Sequence, residues 1–426
     1  MRSAYRRVGW LVCGLLVWAS PAAADVVTDW NLITTQAVAA ATVSRPGPAG
    51  LIDIAIVQLA VHDAMQAFQK RFDSYGAPIP SASGSPVAAV ARASRDVLIG
   101  VGLTTAQGGA SVDTLYMNYI AARGLQNDPG LAVGQRAAAQ LLALRANNTG
   151  QAPANAEQFF GGTGTGEWRP TSFSATGQPL PMVAAYIRDI QPFTLRDASQ
   201  FRQEPPPHLA SGKYVDEYNE VKALGSLTGS SRRPSQTDMA LFFADNAIQY
   251  WNRTMRSIAL DLRDSGDIAR MFALVNVAMA DALIVAWDSK VYFNFWRPIT
   301  AIRLGDSDGN DRTDGDPTWT PFIVTPNYPD YVSGANSLSG SATTMLANFF
   351  GTDKYTFTMT STFVHPTTGQ TPQNPRVYSR FSDAADDVVD ARIYEGIHFR
   401  SADEDARSGA KHIANWAFAH FLRPSH

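Results

Sequence analysis

The chain is short of cysteine, of charge and of long apolar runs. Its 1 cysteine, Cys13, sits in the extreme N-terminal stretch. Without that stretch the protein can form no disulfide, thiolate metal site or cysteine nucleophile. Elsewhere no uninterrupted apolar run is long enough to suggest a multispanning membrane protein. Charged residues make up only 17% of the chain and the formal charge is −3, which argues against a general nucleic-acid binder. Period-two alternation is also nearly absent, so a sheet protein is not expected. What is there is apolar: 45% hydrophobic residues over 426 positions is a globular composition. The length allows two or three cores or one large helical domain.

Arg2, Arg6 and Arg7 precede the apolar stretch from Val8 to Trp18, and Ala22-Ala23-Ala24 follows. A basic segment, a short apolar segment and small residues read as a secretory signal peptide over 1–24. The apolar part is too short to span a bilayer. Cleavage after Ala24 would leave a cysteine-free periplasmic or secreted protein with no membrane span.

Helical spacing predicts helices over 51–70, 85–100, 130–146, 237–265 and 267–292, with further helices starting near Gly334, Ser382 and Asp403. The expected class is all-α. Between Gly150 and Pro206 the pattern fails, and Pro170, Pro179, Pro181 and Pro192 punctuate a long irregular connection. Trp168, Phe173, Tyr186 and Phe193 within it call for burial. The coarse division is an N-terminal helical region with this connection, 25–206, and a C-terminal helical region, 207–426; the two could also form one domain.

Some motifs have bland readings. Gly161–Gly166 lacks the Gly-Lys-Ser/Thr of a phosphate loop and reads as a plain loop. The aspartate-rich stretch Asp306–Asp316 invites calcium, but Asp311 and Pro317 occupy the positions where an EF-hand needs Gly and Glu, so a turn-rich loop is favoured. His62 sits on an apolar helix and reads as a core residue.

Three motifs in the C-terminal half read differently. Lys290 and Arg297 are seven apart, which on a helix returns to nearly the same face; Pro298 would end or bend that helix and free Arg297 to reach sideways. An exposed basic face is the alternative. Ser333-Gly334-Ala335-Asn336 opens a helix with a hydroxyl and free N–H groups, an anion-binding arrangement or an ordinary N-cap. Arg392 and His398 are six apart, on different faces of an unbroken helix, but Gly396 offers a break that lets His398 turn back. Together they supply three cations, a hydroxyl, a helix N-terminus and an imidazole, a set suited to a multiply charged tetrahedral oxyanion.

In this order, Lys290-x6-Arg297-Pro298, Ser333-Gly334 and Arg392-x5-His398 resemble the signature of the vanadium-dependent haloperoxidase and type 2 phosphatidic acid phosphatase superfamily. Asp29-Trp30-Asn31, Val61-His62-Asp63-Ala64, Glu167-Trp168-Arg169-Pro170, Tyr250-Trp251-Asn252-Arg253 and Ile397-His398-Phe399-Arg400 look like its bacterial secreted haloperoxidase-like branch. The similarity runs from about residue 25 to the C-terminus. It implies a helical bundle in which Lys290, Arg297, Ser333, Gly334 and Arg392 hold vanadate, with phosphate as a competing occupant and His398 as axial ligand to vanadium. Peroxide, polarised by Lys290, would oxidise a halide. The alternatives are phosphomonoester hydrolysis, with His398 as nucleophile and Arg297 and Arg392 as clamps, or non-catalytic oxyanion binding. The second motif departs from the family's Pro-Ser-Gly-His: Val332-Ser333-Gly334-Ala335 lacks the acid/base histidine. His365 is a candidate substitute if its loop folds over the pocket. Ala402 stands where some members carry an aspartate that orients the catalytic histidine, with Asp403 one further on.

Overall fold

The computed structural model describes residues 25–425; the expected signal segment, 1–24, lies outside the described residues. The architecture is helical, as expected. Five helices, α1 (Val26–Ala40), α2 (Gly50–Gln69), α3 (Pro86–Gly100), α4 (Val112–Ala121) and α5 (Gly130–Leu144), precede the irregular connection. Then come α6 (Gly212–Leu224), α7 (Pro234–Phe243), α8 (Ala247–Ile258), α9 (Ser265–Phe293), α10 (Pro298–Arg303) and α11 (Gly334–Phe350). A β-hairpin, β1 (Lys354–Met359) with β2 (Arg376–Arg380), leads to α12 (Phe381–Tyr394) and α13 (Arg400–His420).

The helix α9 is the axis of the molecule. Asp264 caps its start by accepting the N–H groups of Gly266 and Asp267, and 29 residues follow before Asn294 ends it in the left-handed conformation. Its apolar residues are buried along nearly its whole length, because α2, α11, α13 and the short turn Ala185–Asp189 all pack against it. Both α2 and α9 are long and apolar enough to cross a membrane, but their most apolar windows are 94% and 100% buried inside the protein. They are core helices here.

Several expectations change in detail. The stretch 237–265 is not one helix: Asn246 stops α7 from running on and caps α8 by accepting from Ile248 and Gln249. Lys290 and Arg297 do not share a helix, because α9 ends at Phe293, before Arg297. Pro298 starts a helix instead of ending one. Its fixed φ and missing N–H suit the first turn of α10, for which Arg297 is the N-cap. Trp168, Tyr186 and Phe193 are buried, whereas Phe173 is 60% exposed, as it lies in a surface turn bridged to Pro179.

The irregular connection is held by carboxylates projecting from the core helices. Asp53 on α2 accepts from the Gly150 N–H and pairs with Arg45; Asp63 accepts from Tyr75 and Gly76. Asp281 on α9 accepts from the N–H groups of Phe193 and Thr194. Each satisfies backbone donors that have no helix or sheet partner, which is how loop chain can lie against a dry core.

Two outcomes follow for stability. Asp53 and Arg45 are both essentially inaccessible, so Asp53→Ala leaves a buried cation and an unpaired Gly150 N–H. The expected loss is about 3–5 kcal/mol in urea unfolding, against less than about 1 kcal/mol for Arg71→Ala at the exposed pair with Asp264. His62 is buried against the Asp73 carbonyl, and burial pushes its imidazole down from 6.5 to about 4. The folded state therefore binds this proton less tightly than the unfolded one. Stability from His62 is present above pH 6.5 and lost as pH falls towards 4. Unfolding of wild type and His62→Gln across that range should converge or cross by roughly 3 kcal/mol in favour of the variant at the acid end.

Candidate functional site

The end of α9, the start of α11 and the α12–α13 turn meet around one short strap, Tyr328-Pro329-Asp330. Lys290, in the last turn of α9, donates from Nζ to the carbonyls of Pro329 (2.7 Å) and Asp330 (3.0 Å). Arg297 donates from Nε to the Tyr328 carbonyl at 2.8 Å. The strap is itself anchored to the α9–α10 link, since the Asp330 N–H donates to the Phe295 carbonyl at 2.9 Å.

The α12–α13 turn is built by glycine. α12 ends at Tyr394, and Gly396 takes φ 77°, open to glycine at little cost, with Gly225 backbone so close that a Cβ would collide. The chain then reverses and delivers His398 ahead of α13. Arg297 Nη1 donates to the Ile397 carbonyl (2.6 Å) and lies 3.1 Å from His398 Nε2. The other ring nitrogen, Nδ1, is 2.8 Å from Asp330 Oδ1. The imidazole thus sits between a guanidinium and a carboxylate.

Ser333 is the N-cap of α11, and its N–H donates to the Ala402 carbonyl at 2.9 Å, which joins the starts of α11 and α13. Asn336 donates to Asp403 Oδ1 at 2.8 Å. Arg392 lies 2.7 Å from Glu395 Oε2 and reaches the Phe243 carbonyl at 3.3 Å. Gly334, Ala335 and Arg392 share the wall of a cavity of about 230 Å³ with Trp287 and Tyr328.

Burial and like charge dominate the electrostatics. Lys290 is held well below the usual ammonium range, first by burial and then by Arg297. His398 is likewise pushed well below 6.5 by burial, then by Arg297, Lys290 and Arg392, so it is neutral at pH 7. Burial raises Asp330 to about 7 against the pull of Arg297 and Lys290, and raises Glu395 to about 7 against Arg392. Two guanidinium groups therefore face carboxylates that only partly neutralise them. Arg297 Nη2 and Arg392 Nε are buried with no hydrogen-bond partner.

Of the residues singled out in the sequence, Arg297 and His398 are in contact, and Lys290 joins them through the strap. Ser333 and Gly334 head α11, and Gly334 and Arg392 meet at the cavity. His365 is elsewhere. Its Nε2 is 2.8 Å from the Phe322 carbonyl, its Nδ1 accepts from Thr367 and Thr368, and its ring packs on Phe322; it is a buried loop residue with no free nitrogen to offer. In Asp306–Asp316 the carboxylates of Asp306, Asp308 and Asp316 accept from their own loop at Gly315, Asn310, Thr313 and Thr318. Asp330 and Glu395 were not foreseen; Asp403, noted in the sequence beside Ala402, accepts from Asn336, while Asp330 is the carboxylate at the His398 ring. Glu395 stands three residues after Arg392, a helical pairing distance that could have been read; Asp330 carries no such signal, because its partners come from other segments.

Residues 270–425 match the family described as the VCPO second helical-bundle domain. Vanadium chloroperoxidase of Curvularia inaequalis is 31% identical over 194 residues, which cover 37% of this chain and only 31% of that relative's length. Among solved structures, one described as the first bacterial vanadium-dependent iodoperoxidase superposes with a TM-score of 0.75 at 21% identity, covering 96% of this chain and all of that one. A holo-type bacterial vanadium-dependent chloroperoxidase superposes at 0.73 with 17% identity, over 93% of this chain and 97% of the other. The C-terminal part of the chain is thus similar in sequence to a vanadium chloroperoxidase, and nearly its whole length shares the fold of these bacterial vanadium-dependent haloperoxidases.

Proposed function

We propose that this chain is an exported, vanadate-dependent haloperoxidase-like protein that oxidises halide with hydrogen peroxide. The observation that carries the reading is the pair of buried, unpartnered N–H groups, Arg297 Nη2 and Arg392 Nε, beside a neutral His398. Buried donors are nearly always paired, so an orphaned pair in a cluster of cations suits an anion with several acceptor oxygens. Lys290 has one N–H beyond its two carbonyl partners, and the first turn of α11 adds unpaired backbone donors at Gly334 and Ala335. The donor set fits vanadate, and fits phosphate for the same reason.

Lys290, Arg297, Ser333, Gly334 and Arg392 would hold the oxyanion, and His398 would bind its central atom through the imidazole. Bound vanadate would supply the Lewis acid that activates peroxide towards halide. The chain's own contribution is to keep the imidazole unprotonated by burying it among cations, to orient it with Asp330, and to exclude water from the charged groups. A ligand-orienting partner of this kind is typically worth about 10–100-fold in affinity. Asp330→Ala should therefore weaken vanadate binding in calorimetry by about that factor, with Asp330→Asn intermediate. Unchanged affinity in both would remove Asp330 from the site.

Ala335 favours a second reading, non-catalytic binding of vanadate or phosphate. A methyl group transfers no proton, and Asn336, the nearest polar neighbour on α11, is bonded to Asp403. The experiment that decides uses protein loaded with vanadate and given peroxide, bromide and a phenol-red-type acceptor. Vanadate-dependent bromination that is lost in His398→Ala supports the haloperoxidase reading. Tight vanadate binding without turnover supports the second, and hydrolysis of an aryl phosphate inhibited by vanadate would point to phosphatase chemistry instead. In the first case Ala335→His should raise turnover by roughly 10²–10⁴, the usual worth of a positioned acid/base.

A further inference from the structure

Asp403 stands fully buried in the first turn of α13, directly after Ala402, whose carbonyl accepts the Ser333 N–H at 2.9 Å. Its Oδ1 accepts from Asn336 Nδ2 at 2.8 Å, but its Oδ2 is buried without a hydrogen-bond partner. The carboxyl faces the Ser333 hydroxyl, and Lys290, Arg297 and Arg392 all lie within its electrostatic reach. It therefore borders the side chains that would hold an oxyanion without being one of them.

The Ser333 hydroxyl has one hydrogen, and its direction is not set by α11. Ser333 Oγ is 3.5 Å from both the backbone N and Nδ2 of Asn336, contacts too long to fix the O–H. An ionised Asp403 would accept that hydrogen and draw it away from the anion. A protonated Asp403 is a donor instead. Asn336 already occupies Oδ1, so the proton belongs on Oδ2, and Ser333 Oγ is the acceptor that the carboxyl faces. Ionising a carboxyl with one bare, buried oxygen is costly, whereas the neutral acid puts that oxygen to use. Burial, ahead of every other cause, raises Asp403 well above 3.8; Asp330 adds to the rise, and Ser333, Arg392 and Asn336 oppose it.

We propose that Asp403 is a positioning residue of the anion site: its carboxyl donates to Ser333 Oγ and so turns the Ser333 hydroxyl hydrogen toward the bound oxyanion. No proton changes hands. The acid fixes which way an existing donor points, and Ser333 makes the contact with the anion. Because the acid is uncharged, it does this without cancelling the positive charge of Lys290, Arg297 and Arg392 that attracts the anion. Asn336 completes the arrangement by holding Oδ1, which keeps the carboxyl from turning its other oxygen toward Ser333. The proposal rests on the reading of Ser333 as one of the groups that hold the oxyanion, and it applies equally to vanadate and phosphate.

Calorimetry of inorganic phosphate binding to the full chain at pH 7, without vanadate, tests it. Asp403→Ala should weaken binding about tenfold, the worth of one hydrogen bond to a charged group. Asp403→Asn should recover binding to within about threefold of wild type, because the carboxamide is neutral and keeps an N–H donor beside Ser333. In a Ser333→Ala background, Asp403→Ala should cost less than about twofold, since the hydroxyl to be directed is gone. A merely structural role would weaken binding equally in both backgrounds, and that result overturns the proposal. So does unchanged binding in Asp403→Ala. Tighter binding in Asp403→Ala or Asp403→Asn would mean that an ionised carboxylate had been repelling the anion, and overturns it as well. Asp403→Leu, which keeps the volume and offers no donor, replaces Asp403→Ala if the melting temperature shows that the alanine variant does not fold. Wild type that binds no phosphate, or binding indifferent to Ser333→Ala, sinks the anion-site reading and the proposal with it. Binding that Ser333→Ala weakens and Asp403→Ala does not sinks the proposal alone.

Discussion

The structure depends on keeping positive charge buried. Lys290 and Arg297 have no solvent exposure and Arg392 very little, yet all three lie within electrostatic reach of one another. Desolvating one such group costs several kcal/mol, and bringing like charges together in a low dielectric adds to it. The protein offsets this with the carbonyl oxygens of Tyr328, Pro329 and Asp330 and with two carboxylates, Asp330 and Glu395. Carbonyls can solvate a cation without cancelling its charge. The carboxylates are themselves buried enough to be driven up to about 7, so they cancel only part of it. What remains is a cluster with positive charge in excess, held rigidly, with donors left over.

That constraint explains the other features of the site. A histidine placed among these cations stays neutral, and a neutral ring keeps a lone pair. The strap 328–330 must be stiff, since one short segment serves Lys290, Arg297 and His398 at once; it is pinned at Phe295 and continues directly into the cap of α11. The chain around it supplies rigidity from both sides, as Ser333 binds back to Ala402 and Arg297 to Ile397. Long helices do the same on a larger scale: α9 carries Lys290 at its end and Asp281 in its middle, so the helix that presents a cation to the site also anchors the irregular connection.

Much of this was legible in the sequence. Helical spacing located α2, α3, α5 and most of α9 closely, because their apolar faces are wide and their ends are marked by Asp264, Ser85 and the glycines. It missed α1, α4 and α6. The apolar face of α4 is only Val112, Tyr116 and Ile120, too narrow to stand out, and α6 is polar on average. The α7–α8 break went unseen because Asn246 is a cap only when the chain around it bends. His365 was open to a role in the pocket from sequence; its loop instead folds onto Phe322 and uses both ring nitrogens.

The sequence by itself determined the residue types of the site and their order. Two motifs owe their form to local rules: Ser333 caps the helix that begins at Gly334, and Gly396 breaks the chain before His398. Backbone preference acts within a few residues, so such features can be read along the chain. Only the tertiary structure decided that Asp330 faces His398, that Lys290 and Arg297 meet through carbonyls and not along one helix, and that Ala335 shares a cavity wall with Arg392. Those relations join segments tens of residues apart, and they arise from packing, where burial and charge balance are settled by whichever groups the fold brings within a few ångströms.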